Sequence, residues 1–253
     1  MDIFPLPRFG LVVPPENPIA EPEYHSYLVP EMNVYTTRFP VTAEFNRETM
    51  EMYNEVLPEV LATFGQLRLD ATVVACNASH YLLDPDGDRD FVAELSQRFG
   101  SPVTSSTRAI VDLCEALGVS ELTLVSPYAP WLTELSRGYW EKAGLSVERI
   151  VYTPSAVDED GVDVGFNPYL VTTETIRRRI AEAKVPEDAT VLFTGTGMHT
   201  LLAATELAEA NSSRTLITSN LASAWWARRT AGLSGFAAAH PLVQRLEREL
   251  AAR

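Results

Sequence analysis

A chain of 253 residues, 46% hydrophobic and 21% charged, is long enough for one large globular domain or two of about 120 residues each. Its net charge of −14, from 34 acidic against 20 basic residues, argues against a surface for nucleic acid, which needs clustered Lys and Arg. The amino-terminal residues lack the features of a signal peptide, and no apolar run reaches the roughly 18–20 residues of a membrane span. We therefore expect a cytoplasmic protein with no nucleic-acid or membrane partner and with reduced cysteines.

Short β-branched segments alternate with segments of helical periodicity along the chain. The predicted strands are, in order, 9–13, 32–37, 71–75, 103–105, 121–125, 147–152, 190–194 and 215–219. The predicted helices are 42–64, 89–99, 107–117, 130–143, 172–183, 198–208, 221–230 and 241–251. This alternation predicts parallel sheets with helices on both faces, and the nearly continuous apolar strands support burial on both sides.

Four pairs of segments match each other in the same order, at offsets of 113 to 119 residues. They are 13–14 with 126–127, 35–37 with 152–154, 73–80 with 192–199, and 104–106 with 218–220. Such repetition predicts two copies of one α/β unit. We therefore predict an α/β fold of two pseudo-symmetric, four-stranded, Rossmann-like halves, 1–118 and 119–235, with the site between them. The C-terminal segment 236–253 is predicted to be a helix that packs back on the first half.

The residues that follow each predicted strand are the candidates for a binding site, because ligands of such sheets lie beyond the carboxyl ends of the strands. This set is rich in hydroxyl, amide and glycine residues but poor in Lys and Arg. Backbone N–H groups at helix N-termini bind a carboxylate without a cationic side chain, so the set indicates a small anion. The turn Gly195-Thr196-Gly197 lacks the Lys of a P-loop and the full dinucleotide fingerprint, and we predict that it cradles this anion.

Cys76 is the residue of this set best suited to chemistry. It ends a strand just before a helix, and the positive end of that helix is expected to lower the thiol pKa; the alternative is a buried structural thiol. The matching residue of the second copy is Gly195, so the copies differ here. Cys114 lies on an apolar helical stripe and is predicted to be a core residue. His199 either assists proton transfer or packs at its helix. No His, Cys and Glu spacing resembles a zinc site, so no metal is predicted.

With these residues assembled, the chain resembles the maleate isomerase branch of the aspartate/glutamate racemase superfamily, which also contains arylmalonate decarboxylase. The resemblance spans nearly the whole chain and implies two α/β halves with the active site between them, a small dicarboxylate substrate, and no cofactor or metal. The matching segments are 10–14 with Asn17, Glu21 and Glu23, then 74–76, 116–119, 126–128, Asn167, and 219–222 before Trp225.

The resemblance implies a role for individual residues. Cys76 would attack a double bond or exchange a proton, and Asn17, Tyr128 and Asn167 would bind substrate carboxylates. Asn77, beside Cys76, is added to the predicted substrate-binding set. Maleate isomerases and the racemases carry a second cysteine where this chain has Gly195. Arylmalonate decarboxylase keeps only the cysteine of the second half, so this chain has the mirror arrangement.

Three functions are compatible with these residues. The first is cis–trans isomerisation of maleate or a relative, in which a Cys76 thiolate adds to the alkene, the new single bond rotates, and the thiolate leaves. The second is decarboxylation of a disubstituted malonate, with Cys76 as the proton donor. The third is a non-catalytic carboxylate-binding homologue. Each takes a small dicarboxylate as its ligand, and the oligomeric state, including a homo-oligomer, stays open.

Overall fold

The computed structural model describes residues 5–210, 213–233 and 240–252. The strands are β1 Arg8–Val13, β2 Asn33–Arg38, β3 Ala71–Val74, β4 Val103–Ser105, β5 Glu121–Ser126, β6 Ser146–Tyr152, β7 Ala156–Val157, β8 Asp163–Gly165, β9 Thr190–Phe193 and β10 Thr215–Thr218. The helices are α1 Ala20–Leu28, α2 Arg47–Ala62, α3 Asn77–Tyr81, α4 Asp84–Phe99, α5 Ser106–Ala116, α6 Pro130–Lys142, α7 Thr173–Glu182, α8 Thr200–Glu209, α9 Ser219–Thr230 and α10 Pro241–Ala251, with a 3-10 turn at Pro168–Leu170.

The two four-stranded sheets are related by the predicted duplication. Their strand orders are β2-β1-β3-β4 and β6-β5-β9-β10, and every pairing within them is parallel. The central strands β3 and β9 occupy equivalent places, so Cys76 and Gly195 follow equivalent strands in the two halves. The predicted fold class is therefore confirmed, and the repetition of sequence segments corresponds to a repetition of topology.

One apolar core runs through both halves. Helix α5 of the first half packs on α9 of the second, and α1 also packs on α9. The core includes Cys114, which is fully buried among Ile110, Leu113 and Leu117, as its apolar stripe predicts. Because the burial of apolar surface is the main favourable term in folding, this shared core joins the halves into one unit.

Several short elements were not anticipated from periodicity. Helix α3 has only five residues, too few to show a 3.6-residue period. Helix α1 contains Pro22 in its first turn and buries the charged Glu23, so its pattern is not amphipathic. The antiparallel pair β7–β8 is largely exposed.

The C-terminal helix α10 makes its main contacts with α8 and α9 of the second half. His240, just before the helix, contacts the first half: its ring meets the Tyr27 ring edge-on at a centroid distance of 5.5 Å. Within the described ranges, no helix combines the length and the apolar character needed to cross a membrane.

Candidate active site

A small cavity lies between the halves, at the carboxyl ends of β3 and β9. Its accessible volume is about 20 Å³, room for about one water molecule. None of the described lining residues is Lys, Arg or His. They are Pro14, Phe45, Cys76, Asn77, Ala78, Tyr128, Pro168, Tyr169, Thr196 and Gly197. The structure thus brings together five of the predicted site residues, from both copies of the repeat.

Cys76 is 3% exposed and packs in an apolar cluster with Phe39 and Tyr53. Burial raises the pKa of its thiol, and the donors of the following helix, the Ser79 hydroxyl and the N–H groups of Ser79 and Ala78, only partly offset that rise. The expectation of a lowered pKa is therefore wrong for the net effect, although the N–H groups of the helix N-terminus act in the expected direction. The physical reason is that α3 is a single short turn and no cation is among the described residues that line the cavity, so the loss of solvation outweighs the effect of the helix dipole.

We expect iodoacetamide to alkylate Cys76 before Cys114 in the folded protein. Both thiols are buried, but Cys76 borders a cavity, whereas Cys114 is 0% exposed within a helix and burial raises its pKa to about 12. Peptide mapping after timed alkylation measures the two rates. Faster labelling of Cys114 would contradict this assignment, and labelling in denaturant serves as the control for equal intrinsic reactivity.

Gly195 faces Tyr128 and leaves no room for a side chain. Its φ is +93°, a backbone conformation that L-residues rarely adopt, and a Cβ built on it would lie 2.7 Å from the Tyr128 hydroxyl oxygen. The Tyr128 hydroxyl therefore occupies the space that a side chain at position 195, the counterpart of Cys76, would need. Burial raises the pKa of Tyr128 well above its ordinary value, which keeps this phenol protonated as a hydrogen-bond donor.

Gly195→Cys is accordingly expected to destabilise the fold. A strained backbone conformation costs about 1–3 kcal/mol, equivalent to a melting temperature roughly 3–10 °C lower for a chain of this size, before the contact with Tyr128 is counted. Thermal melting followed by circular dichroism measures the loss. The double variant Gly195→Cys/Tyr128→Phe should recover the part due to the contact. An unchanged melting temperature in the single variant would show that the turn adjusts without strain.

The turn after β9 is held against the first half by Thr196. Its hydroxyl donates to the Ala75 carbonyl oxygen at 2.8 Å and accepts from Asn17 Nδ2 at 3.3 Å. Among the described residues, the backbone N–H groups of Thr196 and Gly197 have no acceptor. Because both residues line the cavity, these N–H groups are available to a bound anion.

Two predicted carboxylate-binding amides already bond within the protein. Asn17 Oδ1 accepts from the N–H groups of Ile19 and Ala20 at 2.9 and 3.0 Å, and its Nδ2 meets Thr196. Asn77 Oδ1 accepts from Ser106 at 2.8 Å, and its Nδ2 donates to Ser219 of the other half at 3.2 Å. Both amides therefore position neighbouring segments, and direct binding of substrate by them stays a prediction.

Asn167 and His199 do not line the cavity. Asn167 is exposed and its Oδ1 accepts from the Tyr169 N–H at 3.0 Å, so it begins the 3-10 turn that carries Tyr169 to the site. His199 is exposed at the start of α8. Their assignments to substrate binding and proton transfer likewise stay predictions.

Sequence reasoning missed two aromatic residues that close the cavity, Phe45 and Tyr169. Each lies in a loop rather than directly after a strand of a main sheet, which is why a search of strand ends passed over them. A Cβ at Gly197 would overlap the Tyr169 ring, so the glycine makes room for this ring. A shallow cavity of about 100 Å³ adjoins the first and shares Pro14, Phe45 and Tyr169 with it.

A family model of arylmalonate decarboxylase matches residues 9–243. A liganded arylmalonate decarboxylase variant, with one glycine changed to cysteine and one cysteine to serine, is 20% identical over 95% of this chain and 98% of its own (TM-score 0.77). A maleate isomerase variant from Pseudomonas putida S16 with maleate is 20% identical over 90% of this chain and 93% of its own, with a TM-score of 0.75. A Nocardia farcinica maleate cis-trans isomerase variant with a covalently bound succinylcysteine intermediate is 19% identical over 95% of this chain and 99% of its own, with a TM-score of 0.76. Identities this low show a common fold. No curated protein matches.

Proposed function

The chain belongs to the arylmalonate decarboxylase family, and we propose that it is a cofactor-independent decarboxylase of a small substituted malonate. The observation that carries this proposal is the single thiol at the cavity: Cys76 lines it, while the equivalent position, Gly195, has no side chain and no room for one. Because burial raises the pKa of Cys76, the thiol is protonated at neutral pH and suited to donate a proton from one face.

Decarboxylation breaks the bond between the α-carbon and one carboxylate, and carbon dioxide leaves. The electron pair of that bond passes to the α-carbon and the remaining carboxylate, which together form a planar enediolate. The Tyr128 hydroxyl and the N–H groups of Thr196 and Gly197 are the donors for its oxygens. Cys76 then gives its proton to the α-carbon, and the thiolate left behind takes a proton from water.

The apolar part of the lining also favours this reaction. Phe45, Pro168 and Ala78 face the cavity, and no cation does so among its described lining residues. A carboxylate against such a wall loses its hydration without gaining a partner, whereas neutral carbon dioxide has little hydration to lose. Conversion of the carboxylate to carbon dioxide is therefore favoured where the leaving carboxylate lies against these apolar residues.

Maleate-type isomerisation is the second candidate, although sequence reasoning alone placed it first. It needs a thiolate, which the raised pKa of Cys76 disfavours. The observation in its favour is the set of donors at that sulfur, the Ser79 hydroxyl and the N–H groups of Ala78 and Ser79, which would stabilise a thiolate once formed. The succinylcysteine intermediate of the Nocardia farcinica relative is consistent with such an addition.

The two reactions are separated by their products and by pH. Enzyme is incubated with maleate, methylmalonate and phenylmalonate, and proton NMR is combined with measurement of carbon dioxide. Release of carbon dioxide supports decarboxylation; a change of olefin geometry at constant mass supports isomerisation. A thiol donor gives a rate that is level from about pH 6 to pH 8 and falls as pH rises through the thiol pKa, whereas a thiolate gives a rate that rises about tenfold per pH unit. Ligand-induced stabilisation without turnover would instead indicate a non-catalytic binder.

A further inference from the structure

Glu23 is a buried carboxylate of the first half that bonds to the second half. It is 4% exposed, and its Oε1 accepts from the N–H groups of Thr200 and Leu201 at 2.9 and 2.7 Å. Its Oε2 accepts from the Thr200 hydroxyl at 2.9 Å and from Asn220 Nδ2 at 2.8 Å. All of these neighbours are donors, and two are first-turn N–H groups of α8. The N-terminus of α8 is therefore occupied by a carboxylate of the protein itself.

Asn220 connects this carboxylate to the active-site turn. The same Nδ2 that donates to Glu23 also donates to the Thr196 carbonyl oxygen at 3.2 Å. Because Glu23 Oε2 and the Thr196 carbonyl oxygen are both acceptors, the Asn220 amide must point its NH2 group toward them. Its Oδ1 is buried without a partner among the described residues, a cost that indicates how strongly the orientation is held.

The N-terminal end of α1 and the residues just before it thus hold the turn that contains Thr196. Asn17, before the helix, bonds to the Thr196 hydroxyl, and Glu23, within it, fixes the amide that bonds to the Thr196 carbonyl. The hydroxyl of Thr196 in turn reaches Ala75, the residue before Cys76. These bonds set the distance between the free N–H groups of the turn and the thiol.

We propose that Glu23 is a positioning residue that, through Asn220, holds the Thr196–Gly197 turn closed over Cys76 with its N–H groups facing the substrate carboxylate. The part of this inference that concerns the carboxylate rests on the proposed function; the part that concerns the turn does not. Glu23 touches neither the thiol nor the cavity, so it acts only through the turn.

Glu23→Gln tests this with little change in size. Gln keeps one oxygen for the N–H groups of α8, but its NH2 group then faces the donor Nδ2 of Asn220. The Asn220 amide should turn over so that its unpartnered Oδ1 accepts from this NH2 group, and the bond from Nδ2 to Thr196 is then lost. We expect Cys76 to be alkylated by iodoacetamide at least tenfold faster than in the wild type, with Cys114 still unlabelled. We also expect the succinate concentration that half-protects Cys76 to rise at least tenfold; neither proposed reaction consumes succinate.

Two further variants complete the design. Thr200→Val removes a hydroxyl donor from Glu23 but leaves the bond between Asn220 and Thr196. The alkylation rate of Cys76 and the half-protecting succinate concentration should therefore both stay within threefold of wild type. Asn220→Ala keeps the Glu23 carboxylate on α8 and should reproduce the effect of Glu23→Gln, which covers the case that the latter does not fold.

Each outcome decides one part of the inference. An unchanged alkylation rate of Cys76 in Glu23→Gln or Asn220→Ala overturns the positioning role, and equal labelling of Cys114 does so too, because it reports general opening. Faster alkylation of Cys76 alone, in a protein that succinate does not protect even as wild type, upholds the positioning role and overturns the dicarboxylate site.

Discussion

Cys76→Ser is expected to lower kcat by about 10³-fold, within the 10²–10⁴-fold range of a general acid. Serine is close in size and can accept the same bonds from Ala78 and Ser79, so the fold should be retained. Its hydroxyl is a far weaker acid than the thiol and cannot protonate an enediolate at a comparable rate. The initial rate of carbon dioxide release, compared at saturating substrate, measures the effect.

Cys114→Ala is the matched control. It removes the other thiol, which is fully buried in the core between the halves, and should leave kcat within about threefold with a modest loss of melting temperature. Near-normal turnover by Cys76→Ser would show that the proton comes from another group, and the assignment of Cys76 would fail.

Tyr128→Phe is expected to lower kcat by about 10²–10³-fold, as for the removal of one oxyanion donor. The phenol is 5% exposed and lines the cavity, and its hydroxyl has no partner among the described residues. Loss of the hydroxyl therefore breaks no bond of the resting protein, so the melting temperature should hardly fall. The reduction belongs to the transition state, where the enediolate oxygens carry the most charge, and should appear in kcat more than in KM.

Tyr152→Phe provides the comparison for this effect. Its ring packs against Phe166 at a centroid distance of 6.4 Å, away from the cavity, and its hydroxyl lines no part of the site. Its kinetics should match the wild type. Retention of kcat/KM by Tyr128→Phe would make Tyr128 a packing residue that fills the space beside Gly195.

The elements that sequence predicted well are those with a local cause. The eight main strands are short, and each predicted boundary lies within one residue of the observed one. The signal is clearest in β3, an apolar run that is buried along its whole length. Cys76 could be selected because the sequence repeat shows that it follows a central strand of its sheet.

What sequence did not predict depends on contacts between distant residues. The raised pKa of Cys76 comes from burial against Phe39 and Tyr53, which no local pattern encodes. The amide of Asn17 bonds to a residue 179 positions away, so its direction could not be known before the halves were docked. Tyr169 reaches the cavity from an exposed loop, through a turn whose only local sign is the sequence Asn167-Pro168.

The hydrogen bonds between the two halves also limit how a substrate can reach the thiol. A hinge motion that parted the halves would break the bonds of Glu23, Asn17 and Asn77 together and would expose the shared core. The 3-10 turn of Tyr169, in contrast, is closed by its own bonds, from Leu170 and Val171 back to Asn167 and Pro168. The turn is also anchored at both ends, by the bond from the Asn167 N–H to the Ser155 hydroxyl at 3.1 Å and by the buried side chain of Val171. A rotation of the Tyr169 side chain alone would join the two cavities that it lines together with Phe45. We therefore expect substrate to reach the thiol by movement of this aromatic side chain rather than by a hinge between the halves, and the rate of that movement would then limit turnover.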